Sequence, residues 1–117
     1  MEKSLRLRKN REFQTVYKRG SSYWNREFTI LTLKNNLSTS RIGFTVTKKF
    51  GTAVERNAIK RKLREIIRLN KHTLIKGYDI VIIPKKNTKD MNFEELSRSL
   101  IHVFGIVNRK KRTKGKK

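Results

Sequence analysis

At 117 residues the chain is sized for one domain with a modest core and is too short for two. It carries 31 Lys and Arg against 9 Asp and Glu, a net charge of +22, with 35% apolar residues and no cysteine. A disulfide framework and a Cys-type zinc site are therefore excluded, and no apolar run approaches the roughly 20 residues of a membrane-spanning helix.

The charge is unevenly spread. Residues 1–19, 48–68 and 109–117 hold seven, eight and seven cations, whereas 20–47 hold three. Residues 1–108 are expected to form one α/β domain and 109–117, RKKRTKGKK, a basic tail, disordered when free. MEKSLRLRKN lacks the apolar centre of a secretory signal, so a cytoplasmic protein is expected.

In chain order, NREFQTVYKRG predicts a short helix capped by Asn10 and ended by Gly20, with Phe13, Val16 and Tyr17 at i, i+3 and i+4. SSYWNREFTILTL follows, broken near Trp24–Asn25, and Phe28, Ile30 and Thr32 alternate with Thr29, Leu31 and Leu33. Trp24 is expected to pack. RIGFTVT puts Ile42, Phe44 and Val46 on one strand face, and its nearness to the preceding strand suggests an antiparallel hairpin.

GTAVERNAIKRKLREIIR predicts the central helix. At 100° per residue Ile59, Leu63, Ile66 and Ile67 share one face, and Asn57, Lys60, Arg61, Arg64 and Arg68 the other. A face meant only for water mixes signs to gain i,i+4 pairs. A stripe of one sign on a chain of +22 points instead to phosphate, with an anionic membrane surface as the weaker alternative. Lys48 and Lys49, Gly51 and the start of this helix further suggest an anion site made by free N–H groups. DIVIIP reads as a buried strand stopped by Pro84. A last helix from about Asn92 presents Phe93, Leu96, Leu100, Ile101, Val103, Phe104 and Val107 to the core. The order α-β-β-α-β-α gives an α+β fold with helices against one small sheet.

His72 and His102 have no partner pattern for metal binding, and Glu94–Glu95 falls where helix starts attract acids. Neither a catalytic set nor a metal site is expected within the chain.

The run K-K-x-G-x-A-V-x-R-N-x-x-K-R-x-x-R, Lys48 to Arg64, resembles the "RNR" signature of the bacterial ribonuclease P protein subunit. The resemblance extends through F-x-x-V-Y-K-x-G (13–20), N-R-E-F (25–28), R-I-G-F-T-V-T-K-K (41–49) and Y-D-I-V-I-I-P (78–84), most of the chain in the family's order. It implies a two-layer α/β sandwich of the ribosomal protein S5 domain 2-like class. That fold has about four strands, three helices and a left-handed crossover.

The resemblance also implies a protein that binds a catalytic RNA and the 5′ leader of precursor tRNA. The RNA would cleave the leader with Mg2+ of its own, and the protein would act as a monomer within the holoenzyme. Lys48, Lys49, Arg56, Asn57, Lys60, Arg61, Arg64 and Arg68 would then face the catalytic RNA. Phe13, Tyr17, Thr29, Leu31 and Lys48 would line a leader cleft, although Phe13 and Tyr17 equally fit a core pair at i and i+4. At Leu31 some relatives carry a tyrosine. A ribosomal protein of similar fold binding rRNA is the alternative, and a non-specific DNA-binding protein a third reading.

Overall fold

The computed structural model describes residues 6–115. Helix α1 (Asn10–Arg19) is followed by strands β1 (Ser21–Trp24), β2 (Phe28–Lys34) and β3 (Arg41–Phe44). Helix α2 (Ala53–Leu69), strand β4 (Tyr78–Pro84) and helix α3 (Phe93–Gly115) complete the chain, with single 3-10 turns at Lys48–Phe50, Lys71–Thr73 and Lys86–Asp90. The α+β class, the three helices and the four strands are as expected.

The sheet order is β1-β2-β4-β3, with β4 antiparallel to β2 and parallel to β3. The hairpin expected between β2 and β3 is therefore wrong. β4 lies between them, pairing Asp79 with both Leu33 and Arg41, and Ile80 with both Thr32 and Ile42. The physical reason lies in its composition: Ile80, Val81 and Ile82 are buried on both faces, which only a central strand allows. The true hairpin is β1–β2. Its turn is held by Asn25, whose Oδ1 accepts from the N–H groups of Glu27 at 3.0 Å and Phe28 at 2.9 Å.

The two faces of β2 sort the core. Phe28, Ile30 and Thr32 are buried in one layer. There Phe28, Ile30, Ile80 and Ile82 meet the apolar stripe of α2 (Ile59, Leu63, Ile66, Ile67) and that of α3 (Leu96, Leu100, Val103, Phe104, Val107). The other face carries α1, where Val16 packs with Leu7 and Val81 beside Phe13, Leu31, Leu33 and Ile83. Phe93 and Ile101, expected in the core stripe, are exposed at 37% and 36%, because each lies on the solvent-facing flank of α3.

The helix boundaries follow from their caps. Lys9, not Asn10, is the N-cap of α1, and Glu12 reaches back to accept from the N–H groups of Arg8 at 3.0 Å and Lys9 at 2.9 Å. Helix α2 opens on a capping box in which Thr52 N–H donates to Glu55 at 2.8 Å and Glu55 N–H donates to Thr52 Oγ1 at 3.2 Å. Asn92 and Glu95 form the same reciprocal pair at the start of α3. Helix α3 then continues through Gly115, over most of the segment expected as a tail, and Lys116 and Lys117 lie outside the described residues. Arg and Lys propagate helix well and complement the negative end of its dipole.

Trp24, expected to pack, is 64% exposed. It stands on the outward face of the edge strand β1, beside buried Tyr23.

Candidate nucleic-acid interface

The face of α2 is built as its periodicity predicts. Asn57, Arg61 and Arg68 are exposed, Arg56, Lys60 and Arg64 are half-buried, and the four apolar residues opposite are buried. Lys48 and Lys49 stand exposed on the 3-10 turn that leads into the helix. Arg68 differs from the rest, since its guanidinium is paired with the Glu65 carboxylate one turn back. That contact raises the Arg68 pKa and lowers that of Glu65.

The start of α2 is occupied from within. The Glu55 carboxylate sits against Thr52 N–H and also pairs with Lys89 Nζ at 2.8 Å. Its pKa is lowered, first by Lys89 and then by the backbone at Thr52. The anion place anticipated there is thus filled by the chain's own acid. Gly51 makes room for it, for a Cβ at that position would stand 2.4 Å from Glu55 Oε1.

Phe13 and Tyr17 lie side by side on α1, their ring centroids 6.4 Å apart and tilted by 51°. Phe13 is half-buried and Tyr17 is 39% exposed, so the two are both packed and reachable. The Tyr17 hydroxyl hydrogen-bonds Thr45 just beyond β3, tying α1 to the sheet. Thr29 and Leu31 are half-buried on the same sheet face, and Leu31 is part of the apolar packing under α1.

One cavity of about 190 Å³ brings the two surfaces together. It opens at the β3 end of the sheet and is lined by Leu7, Phe13, Gly43 and Phe44 together with Arg6, Lys60 and Arg64. Arg64 stacks over the Phe44 ring, 5.7 Å from its centroid, and its Nε is buried with no hydrogen-bond partner among the described residues. Burial, and then the nearby charges of Arg6 and Arg61, push the Arg64 pKa down. A guanidinium held beside like charges is poised for an anion, which would both satisfy Nε and relieve the repulsion.

Sequence reasoning missed Arg6 and Phe44 as members of this cavity. Arg6 arrives because residues 6–7 run alongside β3, with Leu7 N–H donating to Ile42 at 3.0 Å. Its only sequence signal is the cluster of cations in the first eleven residues, which fixes no position. Among the described residues no group of three or more His, Cys, Asp or Glu side chains is placed to hold a metal ion.

Fold and site together define a small α+β protein that presents a basic helix beside an aromatic-lined groove, the makings of a single-stranded RNA binder. A family model described as Ribonuclease P matches residues 1–108. The ribonuclease P protein component of Finegoldia magna is 56% identical over 95% of this chain and 97% of its own length. That of Staphylococcus haemolyticus is 45% identical over 92% and 93%. Among solved structures, a Staphylococcus aureus RNase P protein mutant superposes with a TM-score of 0.85 at 41% identity, covering 92% of each chain. The Thermotoga maritima RNase P protein gives 0.80 at 40%, over 85% of this chain and 94% of that one.

The chain belongs to the Ribonuclease P family. Membership makes it a protein component of that tRNA-processing endoribonuclease and removes the ribosomal-protein alternative.

Proposed function

We propose that the chain binds the catalytic RNA of ribonuclease P through the basic face of α2 and the 5′ leader of precursor tRNA through the groove at α1. In this reading Lys48, Lys49, Arg56, Asn57, Lys60, Arg61 and Arg64 engage RNA phosphates, and Arg68 contributes once freed from Glu65. Phe13 and Tyr17 offer ring faces to unpaired leader bases, with Thr29 and Lys48 along the groove and Leu31 as part of its floor. The RNA carries out the hydrolysis with Mg2+ that it positions itself. One copy of the chain serves each holoenzyme, in the cytoplasm.

The observation that carries this reading is the shared cavity at β3. Phe13, from the groove, and Lys60 and Arg64, from the basic face, line the same space. A leader strand on Phe13 would therefore reach the catalytic RNA on α2 without leaving the protein.

The experiment is precursor-tRNA cleavage with ribonuclease P RNA at low magnesium, with and without the chain. Stimulation by the chain, with no cleavage by the chain alone, is expected. Absence of stimulation by folded protein overturns the reading.

A further inference from the structure

A second aromatic and basic site lies at the opposite edge of the sheet. Between β1 and α3 runs a groove of about 280 Å³ lined by Ser22, Tyr23, Trp24, Ile106 and Lys110, with no carboxylate among them. Trp24 forms its exposed wall, 64% open to solvent. Lys111 sits above two rings there, with Nζ 5.4 Å from the centroid of Tyr23 and 4.7 Å from that of Tyr78. Tyr23 is 7% exposed, and its hydroxyl is buried with no hydrogen-bond partner among the described residues.

We propose that this groove takes an unpaired nucleotide of the catalytic RNA, its base stacked on Trp24 and its phosphate held by Lys110. An exposed indole beside lysines suits a base and its phosphate together, because stacking needs a free ring face and the phosphate a nearby cation. Charge decides the class of occupant: a second copy of a +22 chain would bring cations onto cations. The phosphate side of the groove decides the source: Ile106 and Lys110 belong to α3, which packs on the same sheet face as α2, while Trp24, paired with Thr29, projects at the sheet's edge on the face that carries α1. The strand order sets β1 three strands from β3, roughly 14 Å across the sheet. One RNA covering α2 and α3 would then hold the protein at both edges.

Trp24 is the chain's single tryptophan, so its fluorescence reports this groove directly. The inference rests on the proposed function above, and cleavage stimulation is measured in the same preparations to keep the two apart. Titration of the protein with ribonuclease P RNA alone is expected to quench Trp24. Trp24→Ala is expected to weaken assembly roughly fivefold or more, with Trp24→Phe retaining most of the affinity and Lys110→Ala lowering the salt dependence.

Stimulated cleavage with unchanged fluorescence and wild-type assembly of Trp24→Ala overturns the groove assignment while leaving the proposed function intact. Quenching that appears only when precursor tRNA is added assigns the groove to the substrate and overturns the choice of catalytic RNA. Dimers of the free protein that disappear in Trp24→Ala assign it to a second copy and overturn it likewise.

Discussion

The far edge of the Phe13 ring meets Gly43, so close that a Cβ at residue 43 would stand 2.4 Å from Cζ and 2.5 Å from Cε1. The missing side chain in β3 is what lets an aromatic of α1 settle against the sheet and still border the cavity that Lys60 and Arg64 share. Gly43→Ala should push the Phe13 ring and the N-terminal part of α1 away from the sheet. A loss of about 1–3 kcal/mol in urea unfolding is expected from the overpacking. Preference for precursor over mature tRNA should fall with it, and wild-type stability would show that the ring is free to move.

Arg41 ties three elements into one ion network. Its Nε and Nη2 donate to the two Asp79 oxygens at 2.8 and 2.7 Å, and Nη1 donates to Glu12 at 2.7 Å. The Asp79 side chain is 9% exposed, so Arg41→Ala leaves a buried carboxylate held by Asn35 Nδ2 at 3.0 Å in place of the two-pronged guanidinium. Because 26% of the Arg41 side chain reaches water, the expected cost is roughly 2–3 kcal/mol, below that of a fully buried pair. Chemical denaturation checks it, and Arg41→Lys should recover only part, since an ammonium lacks the two-pronged geometry.

The same network sets a pH dependence. Glu12 has its pKa lowered below the ordinary 4.5, first by the backbone at Lys9, with Arg8 and Arg41 adding to the effect. A depressed carboxylate contributes stability that is present above its unfolded value and lost as pH falls through the folded one. Unfolding midpoints should therefore drop below about pH 4.5. The Glu12→Gln variant should lose stability at neutral pH and show a shallower fall on the acid side. Parallel curves for the two proteins would contradict the assignment.

The basic face and the aromatic groove should separate in function. Arg61→Ala, at an exposed position on α2, is expected to weaken assembly with the catalytic RNA whatever the leader length. Tyr17→Ala should instead reduce discrimination between precursor and mature tRNA, by about 1 kcal/mol or more if a stacked base is lost. Binding titrations with both RNAs and both variants make the comparison, and equal losses everywhere would merge the two surfaces into one.

Thr52 caps the helix that carries the basic face. Thr52→Ala removes the acceptor for Glu55 N–H and should cost about 1 kcal/mol of stability. Affinity for the catalytic RNA should fall with the loss of the first turn, measured alongside thermal unfolding.

Amphipathic period, apolar run and net charge alone determined the stripe of α2, its buried face, a buried apolar strand at 79–84 and a polyanion as partner. These are local properties: 3.6 residues per turn sorts side chains whatever they later pack against. Which strands become neighbours depended on tertiary structure, because β4 is claimed by β2 and β3 at once and chain proximity argues for the wrong pair. The contacts of Arg41 with Glu12 and Asp79 span 29 and 38 residues, and no periodicity reaches that far. The joining of Phe13 to Arg64, and the exposure of Trp24, likewise arise only when α1, β3 and α2 meet around one strand end and β1 is left at the sheet's edge. Sequence assigned the charges to a face; packing chose which aromatics would stand beside them.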